Sequence, residues 1–449
     1  MSGPDRTRRP PSRPTPAPIL PEFREFRSDG GLRVRAARVA RLPEVAVRLV
    51  AGAGAASEPA ALTGATSLAV RCLPEGAAGR SARDMAAWLD HVGAGFGAGA
   101  GHDHVELHLH ALAPTAGEAL SFLEAVVLQP AFDPDEVARV RREAVDGLGR
   151  RRDDPAAVAD DALAAAVFGD HPYGRYPGGT AATLATLDAD ALRETWERTL
   201  RDGPAVLIAA GDLEPEAFAA DVARRFGPLR SAVEAPPVES ASRPPSSALR
   251  LLHHAGSRQA EIRVGTVGLA RGAPDEIAAL VMNAALGGLF GSRLNRNLRE
   301  DKGWTYGVRS GFARRRAAGP FEIRTAVDTP VAGRAIEEIR RELQGMRDRP
   351  PDGEELDAAR RSLTLSLPRR FETTSRLVAA ETERVAYGLP EDWWHRFPEI
   401  VAAVGRDDVA AVAQRFLDPA GLVTVIVADA EEARPGLAAL GVVDEPETP

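Results

Sequence analysis

The chain has 449 residues, 44% of them hydrophobic and 27% charged, with a formal net charge of −8 and one cysteine. That length is more than one small core uses and predicts two or more domains. The acidic balance offers nucleic acid no basic field, a lone Cys72 excludes intrachain disulfides and thiolate zinc clusters, and no apolar run suits a membrane span or secretory signal, so a cytoplasmic protein is expected.

In chain order, residues 1–24 read as a disordered Pro- and Arg-rich leader with little to bury. Residues 48–50 have strand character. Ser81 then caps a predicted helix in which Met85, Trp88, Leu89 and Val92 recur at helical spacing, with Gly93 as its stop. The glycine run 93–101 fits a dinucleotide fingerprint only if Ala98 replaces the last glycine, and it follows a helix. It is expected instead to be a small-residue strand that other backbone approaches closely. Next comes a histidine-rich stretch. On a strand, His102, His104, Glu106, His108 and His110 would share one face and Val105, Leu107 and Leu109 the other. Paired His-x-His is usable zinc geometry; the plainer reading is a wet, histidine-rich outer face. Helices are predicted at 116–128 and 134–150, an ordered loop at 170–175 and a strand at 205–208. Residues 231–247 have the Pro/Ser content of a linker. Strands at 260–264 and 422–427 and helices at 334–346 and 353–367 follow, and 441–449 read as a tail.

The two sides of the linker resemble each other. Residues 187–200 recur at 404–417, and 206–212 at 423–429, both offset by 217; residues 137–151 recur at 356–370, offset by 219. A nearly constant offset over separated blocks predicts two homologous domains, 25–230 and 248–440, each an α+β sheet-and-helix unit.

No phosphate-binding G-x-x-x-x-G-K-[ST], no G-x-S-x-G and no H-E-x-x-H is present, and Cys72 has no local partner marking it as a nucleophile. The segment 286–308 is more informative. It contains Gly287-Gly288, Gly291-Ser292-Arg293-Leu294, a helix ending Leu298-Arg299-Glu300, then Lys302-Gly303 and an aromatic before Tyr306. In these features the sequence resembles the pitrilysin or insulinase-type zinc metallopeptidases, which include the mitochondrial processing peptidase. That family is likewise built from tandem α+β repeats, so the resemblance covers nearly the whole chain outside the tails and implies half of a clamshell around a peptide chamber.

Active members carry H-x-x-E-H in the first repeat and a third glutamate ligand about 75 residues on. Aligned on Gly64 and Arg80-Ser81, those motif positions hold Ser67, Leu68, Ala69, Val70 and Arg71, and Asp146 stands near the third. Both histidines and the base glutamate are absent, so the resemblance implies no metal on this chain and zinc on a partner. In two-subunit members the inactive chain supplies an Arg and a Tyr seven residues apart, a spacing that Arg299 and Tyr306 match. Gly287, Gly288 and Gly291 resemble an abbreviated glycine-rich substrate loop. The implied function is the non-catalytic subunit of a heterodimeric zinc peptidase that processes a peptide, such as a precursor or leader peptide. The alternatives are a purely structural pseudopeptidase scaffold and an independent metalloenzyme using the 102–110 strand.

Overall fold

A computed structural model describes residues 20–242 and 249–445. Most of the expected leader, part of the linker and the last residues of the tail lie outside the described residues. Six strands build the first sheet: β1 (Arg24–Arg27), β2 (Arg33–Arg38), β3 (Glu44–Ala51), β4 (Gly95–Ala100), β5 (Val105–Leu112) and β6 (Ala205–Gly211). The second has β7 (Leu249–His253), β8 (Gln259–Val267), β9 (Val308–Phe312), β10 (Pro320–Asp328), β11 (Val423–Ala428) and β12 (Val443–Glu445). Their orders are β1-β2-β6-β3-β5-β4 and β12-β7-β11-β8-β10-β9.

Five strands of one sheet superpose in order and direction on five of the other. β2 runs parallel to β6 as β7 does to β11, and the next three pairings are antiparallel in both. The repeat seen in the sequence is therefore a repeat of topology. Only the edge differs, because β1 pairs antiparallel with β2 whereas β12 runs parallel to β7. β1 opens at Arg24, and β12 falls within the stretch expected as tail.

The predicted helices form as Ala82–Val92, Ala116–Leu128, Pro134–Arg152, Ala332–Asp348 and Gly353–Ser366. Ser81 closes a capping box with Asp84, which satisfies two otherwise unpaired N–H donors at the helix start. The β-branched strands alternate their burial between two cores. Val45, Val47 and Leu49 of β3 face the main core of the first half, while Ala46 and Val50 face the other side.

That other side is covered by a helix from the second half. Leu377 and Val378, on helix Thr374–Ala386, pack on Ala37, Ala46, Val50, Val206, Ile208 and Ala210. Reciprocally, Ala159, Leu163 and Val167 of helix Pro155–Phe168 pack on Leu252, Val267, Val423, Val425 and Val427 of the second sheet. Each exchange carries an ion pair made by a buried arginine. Arg35 of β2 donates to Glu381 at 2.5 Å, and Arg263 of β8 to Asp160 at 2.6 Å. Among the described residues no helix is long and apolar enough to cross a membrane.

Candidate functional site

Ser67 to Arg71, the positions at which the motif is expected, lie on helix Ala65–Cys72. Its N-terminus is set by two close contacts. Gly64 has φ +98°, and a Cβ there would sit 2.8 Å from Gly179 Cα, so only glycine lets the loop press against the helix start. The buried Glu58 carboxylate accepts from the N–H groups of Gly64 and Thr66 at 3.0 and 2.5 Å, an anion at the positive helix end. Ser67 donates its hydroxyl to Pro177 O at 2.7 Å. Leu68, Ala69 and Val70 are core residues. Arg71, half-exposed, meets Glu143 of helix Pro134–Arg152 at 3.8 Å. Asp146 stands one turn further along that helix, exposed.

These residues do not fit a zinc ion. Zinc needs imidazole, thiolate or carboxylate donors, and here a hydroxyl already bonded to backbone, a buried isopropyl group and a guanidinium occupy the motif. Glu143 is the carboxylate that reaches the position, and it faces a cation of the protein itself. Its proximity to Arg71 was not legible, because a helix offers several acids within one turn. Burial pushes the Cys72 thiol up to about 12, so no thiolate is available in its place. Among the described residues no three His, Cys, Asp or Glu side chains are grouped to hold a metal.

The histidine face differs from expectation at its start. β5 begins at Val105, and His102 sits in the preceding bend, where its O accepts from Ala56 N and its ring is buried edge-on against Tyr173. It therefore leaves the shared face. Burial pulls its pKa down to about 4. The remaining residues meet protein groups. His104 bonds Glu106 at 2.9 Å, Glu106 accepts from Arg48 at 2.5 Å, and His110 bonds Glu44 at 2.9 Å, which also accepts from Thr374 at 2.7 Å. Helix Thr374–Ala386 covers part of this face through Thr374, while His108 and His110 remain exposed, as a wet outer face requires. In the neighbouring glycine strand, the close approach comes from the His108 side chain, not from backbone: a Cβ on Gly97 would lie 2.2 Å from His108 Nε2. The expected loop at 170–175 is ordered and anchored by its buried Tyr173, which donates to Asp103 at 2.6 Å while Ala317 N donates to the Tyr173 hydroxyl at 3.1 Å.

The segment 286–308 builds a different kind of site. Helix Glu276–Asn283 widens into a π-helix over Ala284–Gly288, and a second π-helix spans Asn295–Asp301. Such wide turns are rare and gather at functional sites. Between them lies a loop held by the buried Asn295, whose Nδ2 donates to Leu289 O and Val308 O at 3.1 and 2.8 Å while its Oδ1 accepts from Val308 N at 2.9 Å. Gly287 is buried, and a Cβ there would lie 2.5 Å from Ser310 Oγ; Gly288 and Gly291 are exposed.

Arg299 and Tyr306 flank a hydrogen-bonded pair, Trp304 N to Leu298 O at 2.9 Å. Thr305 pins the turn, its hydroxyl donating to Gly307 O at 3.0 Å. Tyr306 is left 96% exposed and Phe290 69% exposed. Arg299 lies under Phe290, its Cζ 3.6 Å from the ring centre, with Nη1 buried and without an acceptor. Sequence reasoning passed over Phe290, although an aromatic between Gly288 and Gly291 has little around it to cover it.

Two family models match the chain: "Insulinase (Peptidase family M16)" over residues 34–180 and "Peptidase M16 inactive domain" over 186–363. The chain is similar to an uncharacterized zinc protease, YmxG, of Bacillus subtilis, at 24% identity over 79% of this chain and 85% of that protein. An uncharacterized zinc protease of Mycobacterium leprae is 29% identical over 63% of this chain, which spans 64% of that relative's length. The solved peptidase M16 inactive domain from Pseudomonas fluorescens has a TM-score of 0.84 at 25% identity, covering 90% of this chain and 98% of that one.

Proposed function

The chain belongs to the insulinase, or M16, peptidase family, and we propose that it is the non-catalytic subunit of a heterodimeric zinc-dependent peptidase, half of a clamshell around a peptide substrate. One observation carries this reading: Tyr306 projects almost wholly into solvent from a turn that hydrogen bonds hold in shape. A large aromatic side chain with nothing to pack on gains from burial against a second molecule.

In this reading a homologous partner with an intact H-x-x-E-H holds the zinc. Peptide hydrolysis develops negative charge on the carbonyl oxygen, and a preorganised donor there contributes on the order of 3 kcal/mol. The Tyr306 hydroxyl is such a donor. Arg299 offers further N–H groups to the substrate backbone, and the exposed Gly288 and Gly291 leave room beside it. Ser67, Val70, Arg71 and Asp146 take no part in metal chemistry.

A scaffold role is the second reading, and the Phe290 ring over Arg299 favours it, since a guanidinium with a buried, unpartnered Nη1 is closed to substrate as it stands. The test is assembly. The purified chain is expected to hold less than stoichiometric zinc and to cleave no peptide, and mixing with the H-x-x-E-H partner is expected to create activity that neither has alone. Zinc-dependent cleavage by this chain by itself would overturn the proposal.

A further inference from the structure

A cavity of about 530 Å³ opens on the first half next to the loop that presses on helix Ala65–Cys72, and it reaches the seam with the second half. Leu148 and Val158, from helices Pro134–Arg152 and Pro155–Phe168, line it together with Leu252 of β7. Its size and mostly apolar lining are those of a small-molecule or side-chain pocket.

The charge of its wall is inverted relative to the whole chain. The protein carries 64 acidic against 56 basic residues, yet Arg151, Arg152, Arg175 and Arg250 line this cavity against one carboxylate, Asp161. Asp161 is fully engaged by Arg151, which binds it through two bonds of 2.7 Å and stacks 4.1 Å above the Tyr176 ring. Arg175 donates to Thr63 Oγ1 and to Glu58 O, both at 3.3 Å, and its charge also acts on the buried Glu58 carboxylate, leaving N–H groups for a further acceptor. Among the described residues Arg152 has neither a carboxylate nor a hydrogen-bond partner. A concave wall on which the exposed Arg152 has no counter-charge among the described residues attracts anions, and Arg is suited to bind carboxylate through paired N–H groups.

We propose that this cavity binds an amphipathic monoanion, its apolar part on Leu148, Val158 and Leu252 and its carboxylate on Arg152 and Arg175. Two sources share that chemistry: a free acyl carboxylate and the C-terminus of a peptide ending in an apolar residue. The site is independent of whether the chain pairs with a zinc-bearing partner.

Calorimetric titration of the full chain tests it with two probes, octanoate and the peptide acetyl-Ala-Phe-Leu, against 1-octanol and the peptide's C-terminal amide as neutral controls. The expected result is one-site saturable binding of octanoate, the free-acid peptide or both, at about 1 mM or tighter, with each neutral control weaker by about tenfold or more. Binding of only one acid identifies the source. Arg152→Glu, at an exposed and unpartnered side chain, should weaken binding at least about tenfold without lowering Tm. Ala60→Trp, at an exposed position on the rim, should block it independently. No saturable binding of either acid would overturn the proposal. So would binding that the neutral controls match and that neither variant reduces.

Discussion

At Arg299 the packing works against the proposed chemistry. The guanidinium stacks on Phe290 and its Nη1 is buried without an acceptor, so a carbonyl reaches that nitrogen only after neighbouring groups, the stacked ring among them, move. An exposed stack of this type contributes about 0.5–1 kcal/mol, little enough for a partner or substrate to displace. Phe290→Ala should therefore speed modification of Arg299 by phenylglyoxal several-fold in the isolated chain, read by peptide mass spectrometry, while changing stability by no more than about 1 kcal/mol. An unchanged rate would mean that the ring is not the shield. His102 supplies a pH signature. Burial lowers its pKa from 6.5 to about 4, so between those values the unfolded chain takes up a proton that the folded chain refuses. The stability it supports is complete above about pH 6.5 and is lost as pH falls toward 4, by up to about 3 kcal/mol. Urea unfolding at pH 7 and pH 4.5 should show a smaller acid loss in His102→Gln than in the native chain. Equal losses would place the acid sensitivity elsewhere.

At the scale of one element, helix Ala65–Cys72 is a packing helix with Leu68, Ala69 and Val70 in the core. Val70 is 1% exposed among core side chains, so Val70→Glu buries an uncompensated charge and should cost several kcal/mol or prevent folding. Arg71→Ala removes only a half-exposed pair with Glu143 and should cost less than about 1 kcal/mol. Denaturant unfolding of both variants checks the contrast. A Val70→Glu chain as stable as the native one would mean that the position still opens toward a carboxylate-accepting space. β3, β5, β6, β8 and β11 and the helices Ala82–Val92, Ala116–Leu128, Pro134–Arg152, Ala332–Asp348 and Gly353–Ser366 were legible because β-branched runs and helical spacing mark them, whereas β2, β7, β9, β10 and helices such as Pro155–Phe168 and Thr374–Ala386 were not singled out. The two π-helices were not, since no residue pattern distinguishes their wider turn. Nor was the bend at His102, because alternation of residue types continues past the point where the backbone leaves the strand.

For the whole molecule, the offset of 217 to 219 residues returns as a shared strand order, and its deeper consequence is the exchange of helices. Pro155–Phe168 covers the second sheet and Thr374–Ala386 the first, each tied by a buried arginine pair. This was hidden in the sequence: an Ala-rich helix shows that it has an apolar face without showing which sheet that face meets. The Arg/Tyr spacing was legible, whereas the exposure of Tyr306 and the cover on Arg299 depend on turn geometry set by Asn295 and Thr305. The central claim is that these two side chains act on a substrate held by another subunit. Its most direct measurement is kcat and KM of the reconstituted pair with native chain, Tyr306→Phe and Arg299→Lys. Tyr306→Phe is expected to lower kcat by about 10² or more, and Arg299→Lys to raise KM or lower kcat, with zinc content and assembly unchanged. Wild-type rates from both folded, paired variants would contradict it and make the chain a scaffold.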